Sequence, residues 1–429
     1  MKVGCSAERD TRISPFPISW SWRDIPPSDL TGRIGKGVDS NRFFEPPGRL
    51  TEPGSVPIVD LGARAAAPEK GEDLRHKANE SATRLSILIP THEDASLLRR
   101  SLPTFLATEP GTLEIVVLNN DPAQDVAVAI GDLARDERVR ILDMGFEAGF
   151  ARAINRGIRE TSGEFVMFCN ADLFPTSEYL SEMVAFFSRR RAAGAAIGKI
   201  LRYELAADRR TDLIDTAGLA LNRQRRFTTR GEGERDDGRF DEELEVFAVD
   251  GAAMVARRSA LETIRFEDEY LDENFYAHKE DHDVSWRLRL AGWECWYVPS
   301  ALAYHARTTR GLGSTGYLSA VKTFHQNERE KSTLVQINAM KNQWLMLMKN
   351  EDVSNLARDF PFILARELMV VAHRLVFAPR SLAAVPMTLR ITRETLRKRR
   401  VVKGAQRMSP KALRGWLGDE GRAAVGPRT

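Results

Sequence analysis

The stretch FVMFCNADLFP, Phe165 to Pro175, runs strand-forming apolar residues into Asn170 and Asp172 and then into a proline. Pro175 forbids a simple continuation as strand or helix, so Asp172 falls on a loop at the carboxyl edge of a sheet. Ligands of open α/β sheets bind at that edge. The carboxylate can serve such a ligand or cap the helix that follows, as Thr176 and Ser177 also can, and at this point both roles stand open. A second cluster lies in HKEDHDVSWRLRLAGW, where Val284, Leu288 and Ala291 fall at helical spacing and Asp281 shares their face. Asp281 is therefore expected to point inward, an uncommon place for a carboxylate without a task. Glu280 and Asp283 are expected to be ordinary first-turn acids, the latter in an i,i+4 pair with Arg287. His305, after the strand-like WYVPSALAYH, is structural or a metal ligand on its own evidence.

The elements that must position these residues are legible from Arg84 onward. RLSILIPT, LEIVVLNND, VRILDM and EFVMFCNAD are four strands, separated by helical patterns with apolar residues such as Leu97, Leu98, Leu102 and Phe105. Strands alternating with helices at this spacing predict a mostly parallel sheet with right-handed crossovers. A helix follows from Tyr179, then an arginine-rich insertion over 209–241, then strands at Val246–Val249 and Ala252–Ala256 around Gly251. Residues 1–80 hold nine of the twenty prolines and no sustained period, and are expected to be irregular or partly disordered.

A chain of 429 residues with 42% hydrophobic and 29% charged content can bury a sizeable core. The net charge of +3 gives no global argument for nucleic acid, and no nucleic-acid partner is expected. Cys5, Cys169 and Cys295 show neither even pairing nor metal-ligand spacing, which fits a reducing compartment and a cytoplasmic location. No signal-peptide core and no long apolar run is present.

In their order, SILIPTHED, EIVVLNND, GFARAINRGI, FCNADLFP, VDGAAMVARRSAL and KEDHDVSWRLRLAGWECWYVPSALAYH resemble a family 2 glycosyltransferase with the GT-A fold, of the rhamnosyltransferase-like and galactofuranosyltransferase-like branch. The resemblance spans about residues 84–310. It implies an α/β fold with a GT-A (Rossmann-like) mostly parallel sheet flanked by helices, an irregular N-terminal segment and a C-terminal helical region. It divides the chain into residues 1–80, a nucleotide-sugar-binding half at 81–200, an acceptor-binding and catalytic half at 201–315, and C-terminal amphipathic helices with a basic tail at 316–429.

The same resemblance assigns Pro90, Thr91 and Glu93 to the nucleotide of a sugar donor, and Asn119 and Asn120 to the place beside the base. Asn119 stands where the family usually has Asp. Asn155, in the element after Gly149, is implied near the donor. Asp172 and His305 are implied as ligands of Mg2+ or Mn2+, hard ions that suit oxygen donors and neutralise a leaving diphosphate. Asn170 replaces the first Asp of the usual metal-binding pair. Asp281 matches the family's base, which must take the acceptor proton in an inverting displacement. Trp286, Trp293 and Trp296 are core residues or a sugar platform.

The function implied is inverting, metal-dependent transfer of a sugar, rhamnose first, from a nucleoside diphosphate donor to a glycan or lipid-linked glycan in cell-surface polysaccharide synthesis. A catalytically silent, glycan-binding or scaffolding subunit is the rival. A nucleotidyltransferase or a NAD-dependent dehydrogenase would need a glycine-rich phosphate loop after the first strand, and PTHEDASLL has none. Residues 333–377 repeat apolar positions at helical spacing, and residues 389–415 carry ten Lys or Arg against one Glu. Peripheral contact with the inner face of a membrane is therefore expected, alongside the plainer reading that these helices pack on the catalytic domain.

Overall fold

The computed structural model describes residues 84–92, 94–108, 112–306 and 331–418, all within one compact unit. The N-terminal 1–80 segment and Glu93 lie outside the described residues. The strands are β1 (Arg84–Thr91), β2 (Thr112–Asn119), β3 (Val139–Asp143) and β4 (Phe165–Cys169), with helices α1 (Ala95–Leu106), α2 (Val126–Ile130) and α3 (Gly149–Arg159) between them. β1 lies parallel between β2 and β4, with Ile87 opposite both Ile115 and Met167, and β3 lies parallel outside β2. Leu85, Ile87, Leu88 and Ile89 are all fully buried, so β1 is covered on both faces and each such side chain contributes about 1.5–3 kcal/mol of burial. This half is the parallel sheet the sequence predicts.

The chain then passes through β5 (Leu173–Pro175), α4 (Tyr179–Arg189), β6 (Ala193–Glu204), β7 (Arg209–Thr216), β8 (Leu219–Asn222), β9 (Phe227–Thr229), β10 (Leu244–Glu245) and β11 (Ala253–Arg257). Next come α5 (Arg258–Glu262), α6 (Glu280–Leu290) and β12 (Glu294–His305). The main sheet runs β10-β12-β6-β11-β4-β1-β2-β3, with β5 on β12 and β7 on β6. β11 is antiparallel to both neighbours, while β6 and β12 are parallel to each other. β6 was not foreseen, and the division placed at residue 200 falls inside it. Gly198 makes its place possible, because a Cβ there would sit 2.1 Å from the Ala301 carbonyl oxygen. Val246–Val249 is irregular rather than a strand. The arginine-rich insertion supplies β7, β8 and β9, and β8 pairs with both β9 and β13 (Leu417–Gly418).

Four further helices, α7 (Thr333–Asn350), α8 (Val353–Phe377), α9 (Ala384–Ala405) and α10 (Pro410–Arg414), complete the described chain. α7 docks on Asp272 and on Asp283 of α6 through charges that are out of water. Lys349 pairs with Asp283 at 3.0 Å and with Asp272, Asn350 donates to Asp283 at 2.8 Å, and Lys398 of α9 reaches Asp272 at 2.7 Å. Burial alone would raise the Asp272 carboxyl, but the two ammonium groups outweigh it and hold the pKa well below the usual carboxylate range.

Asp283 forms the i,i+4 pair with Arg287 at 2.8 Å, but it is fully buried rather than an ordinary first-turn acid, and Arg287 is 1% exposed. Glu280 is buried as well. The basic segment also divides. Lys398, Arg399, Lys403 and Arg414 turn inward to carboxylates or helix-end carbonyls, while Arg390, Arg393, Arg397, Arg400, Arg407 and Lys411 are exposed. Among the described residues no helix is long and apolar enough to cross a membrane.

Candidate active site at the carboxyl edge of the sheet

The turn after β4 carries Asn170 and Asp172, and β5 begins at once. Because β5 pairs antiparallel with the end of β12, with Leu173 opposite His305, Asp172 and His305 meet. His305 Nε2 lies 3.1 Å from Asp172 Oδ1 and 3.2 Å from Asn170 Nδ2. His305 Nδ1 lies 2.9 Å from Asp215 Oδ2 of β7. Burial by itself lowers the His305 pKa, but Asp172 and Asp215 outweigh it and push it up to about 10.

A carboxylate on the far nitrogen fixes the ring and leaves Nε2 toward Asp172, the arrangement that metal-ligating histidines share. Among the described residues no group of three or more His, Cys, Asp or Glu is arranged to hold a metal ion. An ion held by Asp172 and His305 would have only these two protein ligands and would leave most positions to donor phosphate oxygens or water.

Asp215 was missed because it sits in an arginine-rich stretch with no site-like spacing. Asp94 was missed beside Glu93. It closes β1 onto α1, accepting from Thr91 Oγ1 at 2.5 Å and from the His92 N–H at 2.9 Å. Burial first, and the nearby Asp172 carboxylate among the lesser causes, raise its pKa to about 6.

Asp281 sits in the first turn of α6. Its Oδ2 accepts the Gly251 N–H at 2.8 Å and its Oδ1 accepts the His282 N–H at 2.8 Å. Gly251 is a glycine for a reason, since a Cβ there would stand 3.1 Å from that of Asp281. The Asn170 N–H in turn donates to the Ala252 carbonyl at 3.3 Å, so residues 251–252 join Asp281 to the Asp172 turn. The Asp281 side chain is 18% exposed. Burial raises its pKa, and the Gly251 and His282 N–H groups only partly oppose the shift. A carboxylate so placed is a better proton acceptor than one in water.

Of the other residues named from the sequence, Pro90, Thr91, Asn119 and Asn120 lie at the same edge, while Trp293 and Trp296 sit at the far end of β12. Pro90 and Thr91 end β1 in register with Leu118 and Asn119. Asn119 donates to Asp143 Oδ1 at 2.7 Å and to the Gln124 carbonyl at 3.0 Å, so its amide closes β2 onto β3. An Asp at 119 would set two carboxylates together, which accounts for the amide here. Asn120 accepts the Ala148 N–H and donates to the Gly149 carbonyl, both at 3.3 Å. Asn155 is fully buried and spends its side chain on the 270–273 segment, accepting from the Tyr270 and Leu271 N–H groups and donating to the Leu271 carbonyl. Trp286 is fully buried against Phe247 and Phe227, Trp293 donates to Thr263, and Arg190 lies over Trp296.

Residues 86–265 match the family model described as Glycosyl transferase family 2. The model's match ends ahead of Asp281 and His305, which join the site by this chain's own geometry. Over 221 residues the chain is 24% identical to the poly-beta-1,6-N-acetyl-D-glucosamine synthase of Staphylococcus epidermidis, covering 51% of this chain and 49% of that protein. The chain spans about half the length of the curated relatives it matches. Two solved structures are similar at lower identity. Residues 1–349 of S. aureus TarS in complex with UDP-GlcNAc give a TM-score of 0.44 at 13% identity, covering 75% of this chain and 91% of that one. A Pyrobaculum calidifontis mannosyltransferase in complex with GDP-Man and Mn2+ gives 0.40 at 14%, covering 75% and 85%. The mixed α/β sheet described above is consistent with the GT-A fold.

Proposed function

We propose that the chain is an inverting, metal-dependent glycosyltransferase that moves a sugar from a nucleoside diphosphate to a hydroxyl of a glycan or lipid-linked glycan in cell-surface polysaccharide synthesis. The observation that carries this reading is the half-buried Asp281 carboxylate, held by the Gly251 N–H on the same sheet edge as the Asp172–His305 pair. Asp281 takes the proton of the attacking hydroxyl as the new bond to the anomeric carbon forms, and the diphosphate leaves from the opposite face. Asp172 and His305 would hold Mg2+ or Mn2+, which supplies positive charge against the leaving diphosphate. Asp215 keeps His305 oriented. Thr91, Asp94, Asn119 and Asn120 shape the nucleotide end, and Asn155 fixes the segment that leads to α6.

Rhamnose, from the sequence resemblance, and N-acetylglucosamine, from the name of the curated relatives, are the first sugars to test. Peripheral contact with the inner membrane face belongs to the same proposal and suits a lipid-linked acceptor. The deciding experiment is thermal shift with a panel of nucleotide sugars with and without Mn2+, followed by product analysis of any stabilising donor. A true donor stabilises by mass action. If none does so, with or without the ion, the silent scaffolding subunit suggested by the amides at 119 and 170 is revived, against the retention of Asp172, Asp281 and His305.

A further inference from the structure

Thirteen of the fifteen large apolar side chains that are exposed among the described residues lie between Val353 and Val401. Most fall on one side of α8. Ile363, Val370 and Arg374 form its buried side, and the opposite side presents Phe360 at 51%, Leu364 at 41%, Leu368 at 60%, Leu375 at 59% and Val376 at 71% exposure. Ala357, Pro361, Ala365 and Ala372 fill the spaces between them. Only Arg358 adds charge there, because Asp359 is buried and Glu367 is bonded to Trp344. On a helix of 25 residues, about 37 Å long at 1.5 Å per residue, an outward side with one charge is far more than scattered surface apolarity.

The next helix adds charge of one sign. α9 buries Ala384, Thr388, Thr395, Lys398 and Val402. Its outward side carries Arg390, Arg393, Arg397 and Arg400 in a row at helical spacing. None of the four makes an ion pair among the described residues. Beside that row run Val385, Leu389 and Leu396 at 40%, 70% and 46% exposure, continuing the α8 face across the short turn at 378–383. The nearest acid on the helix, Glu394, is paired with Lys398.

We infer that the outward faces of α8 and α9 form a docking surface for an anionic lipid bilayer. The apolar face of α8 enters the interface and the arginine row of α9 lies over the headgroups. Charge selects this occupant. A second copy of the chain would bring arginine rows with no acids into one interface, which like-charge repulsion opposes. The chain's own longer segments outside the described residues offer no net counter-charge: residues 1–83 hold twelve Lys or Arg and twelve Asp or Glu, residues 307–330 hold four and two, and residues 419–429 hold two and two. The inference rests on the glycosyltransferase reading only where it names a lipid-linked glycan as the acceptor delivered to the site.

Flotation of the full chain with lipid vesicles tests it. The chain floats with mixed phosphatidylcholine–phosphatidylglycerol vesicles at low ionic strength, far less with phosphatidylcholine alone, and less as salt is raised. Replacing Leu364, Leu368 and Leu375 together by Glu abolishes flotation. Replacing the four arginines by Gln lowers partitioning into anionic vesicles by roughly 100-fold or more, since each basic residue is worth about fivefold. All seven positions are exposed, so circular dichroism melts match the parent. Flotation needs no donor, and the Asp281→Asn chain floats like the parent, so loss of transfer and loss of docking are separate results. Failure of the intact chain to float at low ionic strength overturns the inference, and so does full flotation of the triple Glu variant. A dimer that the triple variant dissociates, without any vesicle binding by the parent, also overturns it in favour of a homotypic contact.

Discussion

Asn342 holds the carbonyl of His278 at 2.7 Å, three residues ahead of Asp281. The same amide also donates to the carbonyls of Ala277 at 2.9 Å and Phe275 at 3.0 Å. Tyr276, His278 and Lys279 all have positive φ, at 64°, 81° and 69°, a conformation that costs a side-chain-bearing residue about 1–3 kcal/mol each. Asn342 of α7 thus stabilises the strained turn that aims α6. Asn342→Ala is expected to lower kcat about 10- to 100-fold with little change in donor affinity. Asn342→Asp should be worse, because a carboxylate would face three carbonyl oxygens. His278→Gly in the Asn342→Ala background should recover part of the rate by relieving the turn. An equal loss in kcat and donor affinity, with no recovery, would mean that Asn342 only supports the fold.

Asp281→Asn should cut kcat by about 10²–10⁴-fold and leave donor binding by calorimetry unchanged, because the amide keeps the shape but cannot accept a proton. With its pKa raised, the wild-type acid limb of kcat should fall at a higher pH than an ordinary carboxylate would give. A parallel loss of donor affinity would make Asp281 a binding residue.

Asp172→Ala and His305→Ala should each weaken Mn2+-dependent donor binding, and the double variant should be little worse than either single. Asp215→Asn should weaken it by about 10- to 100-fold without touching the ion, as loss of an orienting carboxylate does. Additive losses would show that Asp172 and His305 serve different sites.

Burial, with the Asp281 carboxylate second, raises the Glu280 pKa to about 8, and Lys341 opposes the shift. A carboxyl raised on folding favours the folded state most below its unfolded pKa, near 4.5, and that contribution is lost as pH rises through about 8. Glu280→Gln should therefore gain more stability over the parent at pH 9 than at pH 6, measured by urea denaturation. An equal gain at both values would place the Glu280 carboxyl in the ordinary range.

The parallel half of the sheet was legible because each strand is a short buried run closed by a turn, and Asp172 was legible because Pro175 ends one of them. β6 was not, since its AGAA opening lacks the branched residues that mark a strand and takes its place only through Gly198 packing under Ala301. The sequence put Asp281 on the inward face; its side chain is 18% exposed, and Glu280 and Asp283 are the more buried acids. It also read Asp283 as an ordinary first-turn partner of Arg287 and did not reveal its burial, because Lys349, which pairs with it, lies 66 residues later. Asn155 shows the same non-local limit: its motif marks a place near the donor, while its bonds run to a segment more than a hundred residues away. His305 came from the family pattern alone, and β5 supplies the physical reason it stands by Asp172.

The ammonium groups that α7 and α9 insert between Asp272 and Asp283 set the smallest heritable piece of this chain. A fragment ending after β12 would leave Asp272 without its two ammonium partners and Asp283 with Arg287 alone, a loss of about 3–5 kcal/mol for each broken buried pair. The helices cannot be shed, grafted or exchanged as a cassette while the catalytic half stays folded. Recombination that swaps acceptor-side parts between such enzymes must therefore carry the segment through Lys398 along with Asp283, or replace all four charges at once.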